Sequence, residues 1–323
     1  MTDAIEVDGR LLVSGERGRI FYSDDQGASW HQSSVPVSVM ITAMSNAGEK
    51  KIWAVGHDGV VITSSDKGET WSKSLDGAQL NQLKVDYYKR LLKEVVSEQL
   101  SAEELDELYF RAEDAEFAAE ENRFNTLLDI YFVDSKEGYI LGSYGLIFQT
   151  LDGGTSWQPI IEKLGNIDGF HLSAITKVNN QLVIAGEGGV IFSSFDNGLS
   201  WKSLSSPYDG SFFGIQATSG ESFVVYGLRG SAFETRDGGV SWSRLVLPIN
   251  RTLSGSSYLR DGSLVLVGSF GSLLVRTQGN QIFKKIPLSK SVPAVSVVAL
   301  ENRKLLVASV VGPQIVNLDK VSD

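Results

Sequence analysis

The chain of 323 residues contains no cysteine. Disulfides, thiol chemistry and cysteine-ligated metals are therefore excluded, and no redox compartment is. It has no excess of base: the formal charge is −10, and no basic stripe exists to hold a phosphate backbone, so nucleic acid is not an expected partner. No run of about 20 apolar residues occurs, so no membrane-spanning helix is expected. No leader is visible in MTDAIEVD at the start of the sequence. The three histidines, His31, His57 and His171, are scattered without ligand spacing, and neither a nucleophile elbow nor a phosphate loop is present. No metal and no cofactor is expected.

What the chain does have is repetition. Ser64 to Trp71 reads SSDKGETW, and its form [ST]-x-D-x-G-x-[ST]-W recurs from Ser23, Thr150, Ser194 and Thr235. The octets contain Asp25 and Trp30, Asp66 and Trp71, Asp152 and Trp157, Asp196 and Trp201, Asp237 and Trp242, while RTQGNQIF (276–283) is a decayed sixth copy. A chemical site needs one constellation, and copies at a fixed period mark a repeat architecture instead. Trp30 to Trp71, Trp201 to Trp242 and Trp242 to Phe283 are each 41 residues, and Trp157 to Trp201 is 44. A Gly-x-x-Gly pair keeps step, from Gly15, Gly56, Gly142, Gly186, Gly227 and Gly268, and its second glycine precedes the aromatic by 12 residues every time.

Apolar runs such as IWAVG (52–56) and LVIAG (182–186) stop at those glycines, and a second strand follows each turn. The Asp octet turns the chain into an outer strand, and one more strand precedes each unit. Four strands in about 41 residues is the spacing of propeller blades. The octet chemistry suits a turn: Asp accepts from the backbone a few residues on, glycine takes positive φ, and Trp buries between sheets. The expected fold is all-β, a seven-bladed propeller spanning 1–323 as one domain. KLLVASVVGPQIVNLD (304–319) is the seventh blade, lacking its outer strand, with six blades as the alternative. Residues 1–7 serve either as the first blade's inner strand or to close the ring.

Trp71 to Trp157 is 86 residues, one period plus about 45, and the excess reads as helix. Leu80, Leu83, Tyr87, Leu91 and Val95 form one stripe, and Ser101 with Glu104 forms a capping box. Leu105, Leu108, Tyr109, Ala112, Ala115 and Ala119 form a second stripe. An α-hairpin is therefore expected over 78–125, inserted between blades two and three. Basic Lys84, Lys89, Arg90 and Lys93 should face an acidic second helix. The hairpin and the Gly-x-x-Gly turns should share one face of the disc, with the Asp turns on the other.

Asp-motif propellers include sialidases, which share three clustered arginines, a tyrosine nucleophile with a glutamate, an acidic donor and an Arg-Ile-Pro signature. Arg19-Ile20-Phe21 and Arg10-Leu11-Leu12 do not match it, and Arg229, Arg251 and Arg260 are not spaced as a triad. Glu16, Asp58 and Glu187, in or beside the turns, read as solvated turn residues.

The segment LDIYFVDSKEGYILG (128–142), running on to TLDGGTSW (150–157), resembles the repeat of the photosystem II stability/assembly factor family, and WAVG (53–56) matches the same place in blade two. The resemblance covers all of the chain but 78–125. It implies a non-catalytic scaffold; family members in phototrophs help to assemble membrane protein complexes from the lumenal side, and many other bacterial relatives are exported. The fold and the scaffold class carry over, the photosystem partner does not. The expectation is a protein partner, such as a membrane protein or transporter component, met in the periplasm or another extracytoplasmic space. The partner-binding residues expected on the loop face are Arg17, His57, Tyr144, Arg229 and Phe270 from the turns, with Phe170, Phe212 and Phe213 from the inter-blade loops; aromatic and arginine side chains suit interface hot spots. A glycan-binding or glycan-hydrolysing propeller is the alternative, and it expects a deep axial cleft with converging carboxylates.

Overall fold

The structure is a computed structural model that describes residues 1–94, 100–269, 271–288 and 292–320. Seven antiparallel sheets follow one another along the chain as blades. Six have four strands in sequence order, and the seventh, over residues 294–317, has three. Asp3–Val7 pairs with Arg10–Ser14 and is thus the inner strand of blade one. Among the described residues the ring closes without strand exchange. Ala4, Leu11 and Val13 of blade one pack on Leu306 and Ala308 of blade seven, and Ser296 Oγ donates to Asp3 Oδ1 at 3.1 Å.

The second strand of each blade explains the apolar runs. It lies between its own neighbours in the sheet and between the flanking blades, so both of its faces are covered. Ile52–Gly56, Gly138–Gly142, Phe223–Gly227 and Leu264–Gly268 are buried at every position. The outer strands are short and exposed, as in His31–Gln32 and Lys202–Ser203.

The octets are joints. In blade three, Thr150 Oγ1 donates to Asp152 Oδ1 at 2.8 Å and accepts from Gly154 N at 2.9 Å. Ser156 gives Asp152 both its amide, at 2.9 Å, and its hydroxyl, at 2.6 Å. The pattern repeats around Asp25, Asp66, Asp196 and Asp237. Hydrogen bonds from Ser29, Ser156, Ser200 and Ser241 pull the carboxyls of Asp25, Asp152, Asp196 and Asp237 down to about 2. Trp71, Trp157 and Trp201 are buried, while Trp30 and Trp242 are half-buried. Thr150→Val keeps the shape but strips the buried Gly154 N–H of its acceptor, and is expected to cost about 1–3 kcal/mol by urea denaturation, with Thr150→Ser close to wild type.

Helices α1 (Gly77–Glu94) and α2 (Ala102–Glu120) form the inserted hairpin, and the capping box of Ser101 and Glu104 is formed. Its core is Val85 and Tyr88 against Leu108, Ala112 and Ala115. Of the expected α1 stripe Leu80 is buried, and Leu83, Tyr87 and Leu91 are half-buried against the cores, while Val85 and Tyr88 make the buried contact with α2. Val95 lies outside the described residues. Tyr109 was expected to pack and is exposed, since it sits at the border of the face led by Leu108 and Ala112. One expected charge pair is made, Lys89 to Glu116 at 3.0 Å.

Strand direction sorts the connections. The Gly-x-x-Gly turns and the links between blades, including the hairpin, lie on one face, here the turn face. The octets and the turns between first and second strands lie on the other, the box face.

Candidate functional site

In blades one to five each turn on the turn face is a tight hairpin of the type favoured by strand twist, with two consecutive residues in the left-handed region. The first of these is Arg17, Asp58, Tyr144, Gly188 and Arg229 in blades one to five, with φ of 56–63°. The second is always glycine. A Cβ on Gly18 or Gly189 would stand 1.9 Å from the carbonyl oxygen of Val37 or Tyr208, because the link to the next blade presses on the turn. The first left-handed residue escapes that crowding and projects outward. Arg17, Asp58, Tyr144 and Arg229 are all exposed, as is His57 one place earlier. Tyr144 is the sole aromatic among the described left-handed residues, and it is 72% exposed. A bulky side chain there costs about 1–2 kcal/mol.

Tyr144 leads a small cluster. Its ring meets His171 edge-on at 4.9 Å between centroids. The His171 Nδ1 lies 3.3 Å from the Tyr144 amide and 3.1 Å from Glu187 Oε2. Phe170, half-buried, lies on Gly188 of the neighbouring turn. Phe213 is 40% exposed at the channel mouth.

Phe212 is a correction. Strand residues alternate sides, and Phe212 points inward, fully buried with Tyr208 and Phe233 at ring centroids 6.0 and 6.3 Å away. It belongs to the core and presents nothing to a partner. Phe270 lies outside the described residues.

The inner strands of all seven blades line an axial cavity of about 260 Å³. This is below the roughly 300–1,000 Å³ of ordinary ligand pockets. It holds two carboxylates that belong to no repeated motif, Asp3 and Asp129. Asp3 accepts from Met44 N at 2.9 Å and from Ser296, linking blade one to blades two and seven. Asp129 accepts from Ile175 N at 2.9 Å, linking blade three to blade four. Burial raises Asp3 to about 6 and Asp129 to about 7, and each bond to an amide works against that rise. Hydroxyls make similar stitches: Thr42 Oγ1 donates to Leu127 O at 2.7 Å, and Ser254 Oγ to Ala294 O at 2.8 Å. The signal was present in the sequence as an acid or hydroxyl near the start of an inner strand, as in LDIYF. A wider cavity of about 820 Å³ opens on the box face between the turns of blades one, six and seven, where Arg303 is held by Asp261 and Asp319.

Glu162, in the link after blade three, anchors the hairpin to the turn face. It accepts from Tyr88 Oη at 2.9 Å and from Arg111 at 2.6 Å. The hairpin is thereby tied to the link between blades three and four.

Comparison with known proteins gives the following. The model of a family described as photosynthesis system II assembly factor YCF48 matches residues 114–307, and that of the BNR/Asp-box repeat matches residues 21–32. No curated protein sequence matches. Among solved structures, YCF48 from Cyanidioschyzon merolae is 14% identical, with 99% of this chain and 95% of that one covered at a TM-score of 0.67. A structure of YCF48 bound to D1 peptide is 14% identical, with coverage of 99% and 93% and a TM-score of 0.66. An ancestral GH74 enzyme is 12% identical over 88% of this chain and 37% of that one, with a TM-score of 0.60. At these identities the solved structures are similar in fold.

Proposed function

The chain belongs to the photosynthesis system II assembly factor YCF48 family, and from that premise we propose that it is a non-catalytic scaffold whose turn face binds a polypeptide partner during assembly or stabilisation of a membrane or envelope complex, outside the cytoplasm. The observation that carries this reading is the set of exposed side chains on left-handed backbone at Arg17, Asp58, Tyr144 and Arg229, with Tyr144 the aromatic among them. Glycine would be the more stable choice at that place; blade four uses it, at Gly188, and blades one, three and five hold Arg17, Tyr144 and Arg229 instead. A side chain kept against a conformational cost is accounted for by a contact it makes elsewhere. A relative in this family is seen with a bound peptide, which supports an extended segment of a partner as the ligand class. The octet carboxylates, saturated by their own turns, and the channel carboxylates, bonded to the next blade, are used as joints.

A photo-crosslinking residue placed at Tyr144 should trap one protein from the native envelope fraction, and the same residue at Val240 on the box face should not. Tyr144→Gly should raise stability by about 1 kcal/mol while weakening recovery of that protein by other turn-face probes. Equal trapping from both faces, or none from Tyr144, would overturn the proposal.

A further inference from the structure

Helix α2 is apolar on two opposite sides. Leu108, Ala112 and Ala115 pack on α1. On the far side Phe110 is 70% exposed and Phe117 is 46% exposed. They stand seven residues apart, about two turns and about 10 Å along one stripe. Asp106 and Glu113 share that stripe, at the i, i+4, i+7 and i+11 spacing of a single helix face. Folding of the hairpin needs only the first side, and exposed phenylalanine adds nothing to helix propensity. Two rings a heptad apart are what a helix offers to another helix.

Charge identifies what covers them. Helix α2 carries eight acids and one base, and that base, Arg111, is turned to Glu107 and Glu162. Such a surface repels an anionic bilayer, and it repels the acidic α2 of a second copy. It attracts a cationic segment. A cation is already seen at one ring: the Arg123 guanidinium lies 4.6 Å from the Phe117 centroid. We infer that Phe110 and Phe117, flanked by Asp106 and Glu113, form a docking seam for a basic amphipathic helix of a partner protein. Its apolar residues cover the two rings, and its lysines and arginines pair with the acids. This deepens the scaffold reading by giving the partner's chemistry.

The full chain can be titrated with a fluorescent 18-residue helical peptide of leucine and lysine with one apolar face. Saturable binding is expected, weakened about tenfold or more in Phe110→Ala/Phe117→Ala, weakened by salt, and unchanged in Val240→Ser on the box face. A peptide with glutamate in place of lysine should not bind. Should the double alanine variant lose its fold, Asp106→Lys/Glu113→Lys serves instead: it should lose the lysine peptide and admit the glutamate one. Lysine-peptide binding that ignores both double variants overturns the inference. So does dimerisation, or binding to anionic vesicles, that disappears in Phe110→Ala/Phe117→Ala. Trapping at Tyr144 is read separately, so this seam can fail while the turn-face reading stands, and the reverse.

Discussion

Trp157→Ala is expected to lower the unfolding free energy by about 3–5 kcal/mol, the range of large aromatic deletions from well-packed cores. Trp157 is 3% exposed and sits where blade three meets blade two. Trp53 and Phe132 stack at 5.6 Å, and Trp157 meets each of them edge-on at 6.0 Å. Removing it opens a cavity between two rigid sheets, neither of which can collapse inward without breaking its own ladder. The indole nitrogen of Trp157 has no acceptor, so Trp157→Phe loses area but no hydrogen bond and should cost less than half as much. Trp242→Ala should also cost less, because that ring is half-buried, although its nitrogen donates to Ser205 O at 3.1 Å. Urea denaturation at constant slope checks the order. Equal losses for Trp157→Ala and Trp242→Ala would contradict the account of the octets as joints between blades.

The second large effect is on pH. Burial places Asp3 at about 6 and Asp129 at about 7, against 3.8 for a free carboxyl. A carboxyl whose folded value is raised binds its proton more tightly when folded. Its contribution is complete below the unfolded value and declines as pH rises toward the folded one. Stability should therefore fall between pH 4 and 7. At about 1.4 kcal/mol per unit, Asp129 alone sets a ceiling of about 4 kcal/mol. The octet carboxyls work the other way. Held at about 2 by their serine and amide donors, they stabilise above the unfolded value and lose that effect as pH falls from 4 to 2. The optimum is expected near pH 4–5. Asp129→Asn should flatten the decline from pH 5 to 8 in thermal unfolding, while leaving the acid limb unchanged. A wild-type midpoint that stays level or rises from pH 5 to 8 would refute this.

Much of the architecture was legible because its parts recur. The octet is a complete local structure, with donor, acceptor, left-handed residue and wedge within eight positions, so one copy interprets the next. The constant 12-residue interval reflects a strand and octet of fixed length after a turn glycine that a neighbouring carbonyl crowds in blades one, four and five. The channel was not legible in the same way. Asp3 and Asp129 belong to no repeat, and their role depends on amides from another blade that only closure brings within reach. Phe212 and Phe213 are neighbours in sequence, and strand phase alone decides which is core. On α2 the small residues Ala112 and Ala115 mark the packed face, whereas Phe110 and Phe117 lie on the opposite side, away from α1, and carry no such mark. Arg111 and Glu162 meet only because the hairpin lies down on the link after blade three.

Among the described residues the first and last sheets share no strand; they touch along side chains and through the Met1 ammonium, which donates to Ser309 O at 3.5 Å. Each can therefore be finished before it meets the other, and closing the circle is a docking event between completed parts. The torus is in this respect more a bracelet with a clasp than a woven band. Its roundness is held at that one place by the affinity of two surfaces, and what loosens that affinity can open the circle without unravelling a sheet.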